Sequence, residues 1–382
     1  MKKKPRKKLR LKKSEPVDFI LFATILMLVV IGVVMVFSAS AYTSANNSAI
    51  KDGMYYLKKQ AMWAVLGISC MIFAMKTDYH VLKKYTKLML VFTIILLCAV
   101  FAFPPVNGAR RWIPLGFASI QPSEIAKYTV VLYLAASLDK KGEKIKSFLY
   151  GVMPYLMVAG FFAGMVLAEK NLSIAAVIMG VTIIVLFVGG ARIPHLAGLL
   201  GVVIPAGVAG IALEPYRRAR FLSFLDPWKD ARGDGYQLIQ SLFALGSGGI
   251  LGEGWFQSRQ KCFWIPEPHT DFIFAIVGEE LGLIGCTVII LLFVVFIWRG
   301  MVTASRAKDK LGKLLATGIT AVIALQAIIN MAVVTGSMPV TGVPLPFISY
   351  GGSSLIFNLI AMGVLLNISR HKPPAQPENG NK

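Results

Sequence analysis

Ten uninterrupted apolar runs leave this chain little choice of fold. They fall at roughly 17–37, 55–75, 86–103, 121–138, 149–168, 172–189, 193–212, 271–298, 314–335 and 352–369. Each approaches the ~20 helical residues needed to cross a ~30 Å hydrocarbon core. Lipid offers no partner to backbone N–H and C=O groups, so a spanning segment must pair them as a helix or within a closed barrel. Apolar residues here are continuous rather than alternating, which argues against the barrel. The expected fold class is all-α integral membrane, with ten transmembrane helices and a large extracytoplasmic loop between helices 7 and 8. Composition agrees, since 56% of residues are hydrophobic and only 15% charged, outside the usage of soluble domains.

The expected organisation is a basic cytoplasmic tail at 1–16, a membrane domain at 17–369 containing the large loop 213–270, and a second cytoplasmic tail at 370–382. The first run imitates a signal peptide, with a basic start and a small-residue stretch Ala39-Ser40-Ala41. Its length exceeds the ~7–15 residues of a signal h-region and nine further runs follow, so an uncleaved first helix is expected. Orientation follows from Lys and Arg. Segments 1–16, 76–87, 139–148, 190–192, 299–313 and 370–382 carry 26 of the 40, while the alternate loops carry 13 and Lys127 lies within a span. Both termini are thus expected in the cytoplasm. The net charge of +21 reads as an orientation signal lying on anionic headgroups, worth about 1 kcal/mol per charge near the surface, and not as nucleic-acid binding. Cys70, Cys98 and Cys286 fall in spans and Cys262 stands alone in the loop, which indicates neither a disulfide framework nor a thiolate metal cluster. No internal repeat is evident, which weighs against an inverted-repeat transporter.

Irregular sequence concentrates at 104–120, 213–270 and 336–352, all on the expected outer side. Residues 236–245 are too short to span and have polar and apolar faces, so they predict a helix lying in the interface. Gly246, Gly248, Gly249, Gly252 and Gly254 follow. Such a run is either re-entrant backbone or a phosphate cradle, although no Walker lysine accompanies it. From Pro339 to Ser354, three prolines and three glycines forbid a regular helix. Irregular backbone of this kind is tolerated at membrane depth only where it packs in protein or lines a cavity.

Charged residues in this setting are candidate site residues. Asp271 opens the eighth run directly after Pro266-Glu267-Pro268-His269-Thr270. A charge at a helix centre costs about 2.5–3.5 kcal/mol on insertion scales, but at the mouth it can stay ionised and meet water-borne chemistry. Its bland reading is a carboxylate favoured by the helix N-terminus, a capping role Thr270 could also fill. His269 is either a hydrogen-bonded loop residue or a ligand contact. Glu279 and Glu280 lie two turns further in, and at least one of them is expected to contact other polar helices. Gln121, Glu124 and Lys127 share one face of the fourth span, with Pro122 suited to its first turn. The Glu124–Lys127 pair is either a buried lock between helices or the lining of a polar cavity. Arg110 and Arg111, beside Trp112, could fork onto phosphate oxygens or anchor at the interface. The denser Arg217, Arg218, Arg220 patch, on the side otherwise depleted in basic residues, favours a phosphate-bearing ligand.

Together these segments resemble the SEDS family of integral-membrane peptidoglycan polymerases. The resemblance rests on Gly108-Ala109-Arg110-Arg111-Trp112-Ile113, Gln121-Pro122-Ser123-Glu124-Ile125-Ala126-Lys127, Phe224-Leu225-Asp226-Pro227-Trp228 and Gly235-Tyr236-Gln237. It continues through Pro266–Phe274, Gly278-Glu279-Glu280-Leu281-Gly282 and Pro346–Ser354, in family order. The Asp-Pro-Trp piece and Gln257–Lys261 look more like the FtsW/SpoVE division and sporulation branch than the RodA elongation branch. One departure is Glu169-Lys170-Asn171, where many members have Gln-Pro-Asp; any role of that family aspartate is in doubt here.

The resemblance implies polymerisation of lipid II into β-1,4 glycan, with inversion, on the outer face of the bacterial plasma membrane. Asp271 matches the essential family carboxylate and would be the general base. Arg110, Arg111, Arg217, Arg218 and Arg220, with a divalent cation (Mg or Mn) as an alternative source of charge, would steady the departing diphosphate. Glu124, Lys127, His269 and Ser349 would complete the substrate-binding set, and no organic cofactor is implied. Implied partners are lipid II, nascent glycan, a class B penicillin-binding protein and other divisome membrane proteins. The competing readings are a lipid II flippase and a non-catalytic divisome scaffold.

Overall fold

The computed structural model describes residues 16–371 except 49, 107, 117, 118 and 214, and gives only backbone at 200, 202–204, 206, 211 and 215–217. Most of the two expected tails, and the side chain of Arg217, therefore lie outside the described residues.

The protein is an all-helical membrane protein, and each of the ten apolar runs is helical. In order these are α1 (Phe19–Ala45), α2 (Tyr55–Lys76), α3 (His80–Ala99), α4 (Pro122–Leu138), α5 (Met153–Ala168), α6 (Leu172–Val188) and α7 (Ile193–Ala212). The large loop contributes α8 (Pro215–Leu225) and α9 (Tyr236–Gly248), and α10 (Ile273–Ser305), α11 (Lys310–Val334) and α12 (Gly352–Ser369) complete the chain. Among the described residues, seven helical segments are long and apolar enough to cross a membrane by length and composition alone, and α6 is a shorter apolar helix. A two-stranded antiparallel hairpin, β1 (Ile113–Pro114) and β2 (Ser119–Ile120), lies between α3 and α4.

Helix ends follow local chemistry. Asp18 caps α1 through Leu21 N, Asn171 caps α6 through Ile174 N, and Asp309 caps α11 through Gly312 N. Several helices outrun their apolar stretches. The expected start of the third at 86 moves back to His80, and the expected end of the eighth at 298 moves on to Ser305. The added turns carry charges that find partners: Lys83 pairs with Asp139, and Arg299 with Asp18. Ala39 and Ser40 are buried inside α1, which runs unbroken past them.

α11 packs against α4, α6 and α10, while α2 lies along α12 and α1 along α10. Close approach needs glycine at few positions. A Cβ on Gly32 would fall 2.2 Å from the Phe347 carbonyl, so α1 can press on the irregular segment ahead of α12.

α10 is not one helix. Gly282 (φ 63°, ψ −161°) interrupts it, and the glycine-rich segment after α9 fills the break. Glu253 N and Gly254 N donate to the Glu279 and Glu280 carbonyls, while Leu283 N and Ile284 N donate to the Gly249 and Ile250 carbonyls. The groups orphaned by the break are thus paired inside the protein, as lipid surroundings demand. A Cβ on Gly248 or Gly252 would lie 1.9 or 2.2 Å from α10 carbonyl oxygens, which explains the glycine spacing. The phosphate-cradle alternative does not fit, because Gly252 N, Glu253 N and Gly254 N already have carbonyl partners. α9 is a helix as expected, but it is packed on α10 with Ser241 Oγ donating to Val334 O rather than simply lying in the interface.

Candidate functional site

The segment leading into α10 is held by three successive carbonyls. His269 O accepts from Tyr350 N at 2.9 Å, Thr270 O from Ser349 Oγ at 2.6 Å, and Asp271 O from Asn330 Nδ2 at 2.7 Å. Ser349 Oγ also accepts from Leu345 N, and Asn330 Nδ2 donates again to Val343 O. Residues 269–271 are therefore clamped between α11 and the irregular stretch before α12, which fixes the backbone under the Asp271 side chain. Ser349, expected to touch substrate, spends its hydroxyl on this clamp. Asn330 was not anticipated; the available signal was an amide, one turn after Gln326, in a largely apolar helix.

Asp271 does not cap α10. The N-cap is Phe272, no side chain caps this terminus, and Thr270 Oγ1 turns back to Glu267 O. Among the described residues nothing hydrogen-bonds to the Asp271 carboxylate. It is half-buried, with Gly342 (φ 72°) so close that a Cβ there would sit 3.2 Å from Oδ2. Burial, reinforced by the neighbouring Glu267 charge, pushes its pKa up to about 6; Arg220 and Arg111 pull the other way.

The arginines separate into distinct environments. Arg111 clamps the turn after α5, donating to Glu169 O at 3.2 Å and Lys170 O at 2.5 Å. Arg220 donates to Val340 O at 3.3 Å. Arg110 points away, to Phe101 O, and Arg218 is exposed. Arg111 and Arg220 are thus the two whose charge Asp271 feels.

Glu124 and Lys127 sit deeper. They pair at 2.8 Å with 1% exposure each, Lys127 Nζ reaches Gln326 Oε1 on α11, and Ser354 Oγ on α12 donates to Glu124. With partners on three helices and no exposure, the pair is a lock between helices, and the expected contact with substrate does not fit this geometry. Glu279 and Glu280 are likewise fully engaged. Glu280 accepts from Lys261 at 2.7 Å and from Ser38 on α1, while Glu279 accepts from Ser258 Oγ and Arg259 N. These bonds moor the outer loop to α1 and α10.

A groove of about 460 Å³ opens beside the clamp. Tyr56, Lys59 and Trp63 of α2, Trp112, and Glu267, His269 and Tyr350 form its main walls. His269 is buried against Tyr56 and Tyr350, at ring separations of 4.2 and 5.5 Å, and its Nδ1 has no partner. Burial drops its pKa to about 4, so the imidazole is neutral at physiological pH. Its Nδ1 is not the hydrogen-bonded loop atom of the bland reading. Tyr56, Lys59, Trp63 and Tyr350 were missed because aromatic and basic residues at a helix mouth look like interfacial anchors.

Glu169 was also missed as a site neighbour. Its carboxylate is wholly buried with neither oxygen hydrogen-bonded, and burial pushes its pKa up to about 8 despite the Ser123 hydroxyl and Arg111 nearby. Among the described residues, no three His, Cys, Asp or Glu side chains converge into a group that could hold a metal ion.

Comparison with known proteins adds a family to this geometry. The family model for FtsW, RodA and SpoVE, described as cell cycle protein, matches residues 18–373. "Stage V sporulation protein E" of Bacillus subtilis is 45% identical over 94% of this chain and 98% of its own length. "Probable peptidoglycan glycosyltransferase FtsW" of Geobacter metallireducens is 43% identical over 95% of this chain and 97% of its own. Among solved structures, a chain from a peptidoglycan synthase complex described as coordinating polymerization and crosslinking superposes with a TM-score of 0.76. It is 30% identical and covers 93% of this chain and 98% of that one. The rod shape determining protein RodA of Thermus thermophilus gives 0.68 at 25% identity, covering 93% and 97%.

Proposed function

The chain belongs to the FtsW, RodA and SpoVE family of cell cycle proteins, and from that premise we propose that it polymerises lipid II into β-1,4 glycan outside the plasma membrane. Asp271 is the general base. It takes the proton from the acceptor 4-hydroxyl as that oxygen attacks the donor anomeric carbon, and undecaprenyl diphosphate leaves from the opposite face with inversion. A positioned base contributes typically ~10²–10⁴-fold.

The observation that carries this reading is the Asp271 carboxylate itself: half-buried on a backbone that is clamped, unsatisfied by any described hydrogen bond, and with a pKa pushed up to about 6. A base of this pKa is deprotonated at neutral pH yet more proton-hungry than a free aspartate. Arg111 and Arg220, whose charges act on Asp271, are suited to the growing negative charge on a diphosphate leaving group.

The same reading places ten crossings with both termini in the cytoplasm, which the Lys and Arg distribution supports. It assigns the activity to septum or sporulation wall synthesis, supported by the relatives named SpoVE and FtsW. It gives the chain a crosslinking partner of the class B penicillin-binding type, supported by the likeness to a synthase-complex chain.

The test is conversion of lipid II to polymer by purified protein together with that partner. Asp271→Asn is expected to abolish polymer while leaving thermal stability intact. Polymer formation by the Asn variant would overturn the base assignment, and lipid II scrambling indifferent to residue 271 would favour a flippase instead.

A further inference from the structure

The groove beside the clamp has a composition that the chemistry at Asp271 does not use. Its walls alternate flat aromatic faces with charged and amide-like groups: Tyr56, Trp63, Trp112 and Tyr350 against Lys59, Glu267 and the backbone at Gly351 and Gly352. Trp63 lies flat against the start of α12 only because residue 352 is glycine; a Cβ there would meet the indole Nε1 at 2.6 Å. The groove is large enough for a small-molecule site, within the usual ~300–1,000 Å³. His269, packed against Tyr56 and Tyr350, closes its inner wall.

Its placement is specific. Arg111 and Trp112 are neighbours, yet Arg111 turns to the 169–170 turn whereas Trp112 turns into the groove. Glu267, His269 and Thr270 wall the groove and lead directly into Asp271. With the donor's departing diphosphate near Arg111 and Arg220, the acceptor would present something neutral, ring-shaped and amphipathic to the aromatics of the groove. A pyranose has that character: C–H-rich faces that pack on aromatic rings, with hydroxyl and N-acetyl groups at its edges for Lys59 and Glu267.

The geometry points to this groove as a saccharide subsite, taking the N-acetylated terminal sugar of the acceptor and presenting its hydroxyl towards Asp271. This inference rests on the polymerase reading and adds the part of the substrate that the groove holds.

Binding without turnover tests it. The full chain in detergent micelles is titrated with a lipid-free, diphosphate-free N-acetylhexosamine disaccharide and followed by saturation-transfer NMR. Transfer to ring and N-acetyl protons is expected, with affinity about tenfold weaker in Trp112→Ala and largely recovered in Trp112→Phe, the scale of one aromatic stacking face. In turnover, Trp112→Ala is expected to raise KM for lipid II more than it lowers kcat. Asp271→Asn is expected to keep disaccharide binding. No transfer in the wild type, or equal transfer in wild type and Trp112→Ala, overturns the subsite. Polymerisation by Asp271→Asn alongside intact, Trp112-dependent binding would instead sink the catalytic reading and leave the saccharide site standing.

Discussion

Asp271 and Glu280 are nine positions apart on one stretch of chain, and they live by opposite rules. Glu280 is wholly buried with Lys261 and Ser38 on its oxygens, and Glu279 beside it accepts from Ser258 and two backbone amides. Asp271 is half-buried and has no described donor on its carboxylate, although its own backbone is clamped. The first region uses acid groups to fasten a loop into a broken helix. The second fastens everything around an acid group and leaves the acid itself available. In a membrane protein both look costly by sequence, and the presence or absence of partners separates structure from chemistry.

The comparison breaks most sharply under paired amide substitutions. Glu280→Gln leaves Lys261 buried without its counter-charge, a change that costs about 3–5 kcal/mol when one member of a buried pair is removed. The expected outcome is a large drop in melting temperature in detergent. Asp271→Asn removes no described bond, so its melting temperature is expected to match wild type while polymer formation disappears. If the two variants lose stability equally, the distinction between the regions fails.

A smaller effect is expected at Asn330, which acts on Asp271 only through its backbone. Asn330→Ala frees the Asp271 and Val343 carbonyls, and misplacement of a catalytic group by about 1 Å can cost on the order of 10²-fold in rate. Lipid II turnover is expected to fall in kcat with KM little changed. A rise in KM alone would mean that Asn330 supports the binding groove rather than the base.

These contrasts mark how far the sequence reaches. The spans were legible because apolar periodicity and length report directly on lipid, and Asp271 stood out because a charge at a helix mouth is conspicuous. The insertion of residues 249–254 into the α10 break was not legible. It depends on which remote carbonyls lack partners, and periodicity carries no information about that; Gly282 alone looked like one glycine in a helix. The Glu124–Lys127 face was visible at i, i+3 spacing, but the choice between cavity lining and lock required knowing that Gln326 and Ser354 arrive from other helices. The groove escaped because its walls come from residues near 56, 112, 268 and 350.

The pH profile sharpens the comparison with a gentler change. Asp271 must be ionised to act as base, so activity is expected to rise with pH through about 6 and then level off. Arg220 holds that pKa down, so Arg220→Gln is expected to move the midpoint upward, by about one unit or less. The reading is kcat/KM for lipid II across the acid limb. A midpoint unmoved by Arg220→Gln but moved by Arg111→Gln would assign the main cationic influence to Arg111.

The smallest effect belongs to Glu169, which combines features of both regions: wholly buried like Glu280, unpartnered like Asp271. Its ordinary value is 4.5 and burial raises it to about 8 in the folded protein. The native carboxyl therefore keeps its proton over a range where the unfolded chain has released it. The stabilisation is complete below about 4.5 and is lost as pH rises through about 8, with a slope up to about 1.4 kcal/mol per unit between them. Glu169→Gln carries no proton to lose, so its melting temperature is expected to be flatter across that window and higher than wild type at the alkaline end. Activity at neutral pH is expected to change little, since both side chains are neutral there. An unchanged slope would mean that Glu169 is ionised and paired in the membrane-embedded protein, which would move it from the unpartnered group to the fastened one.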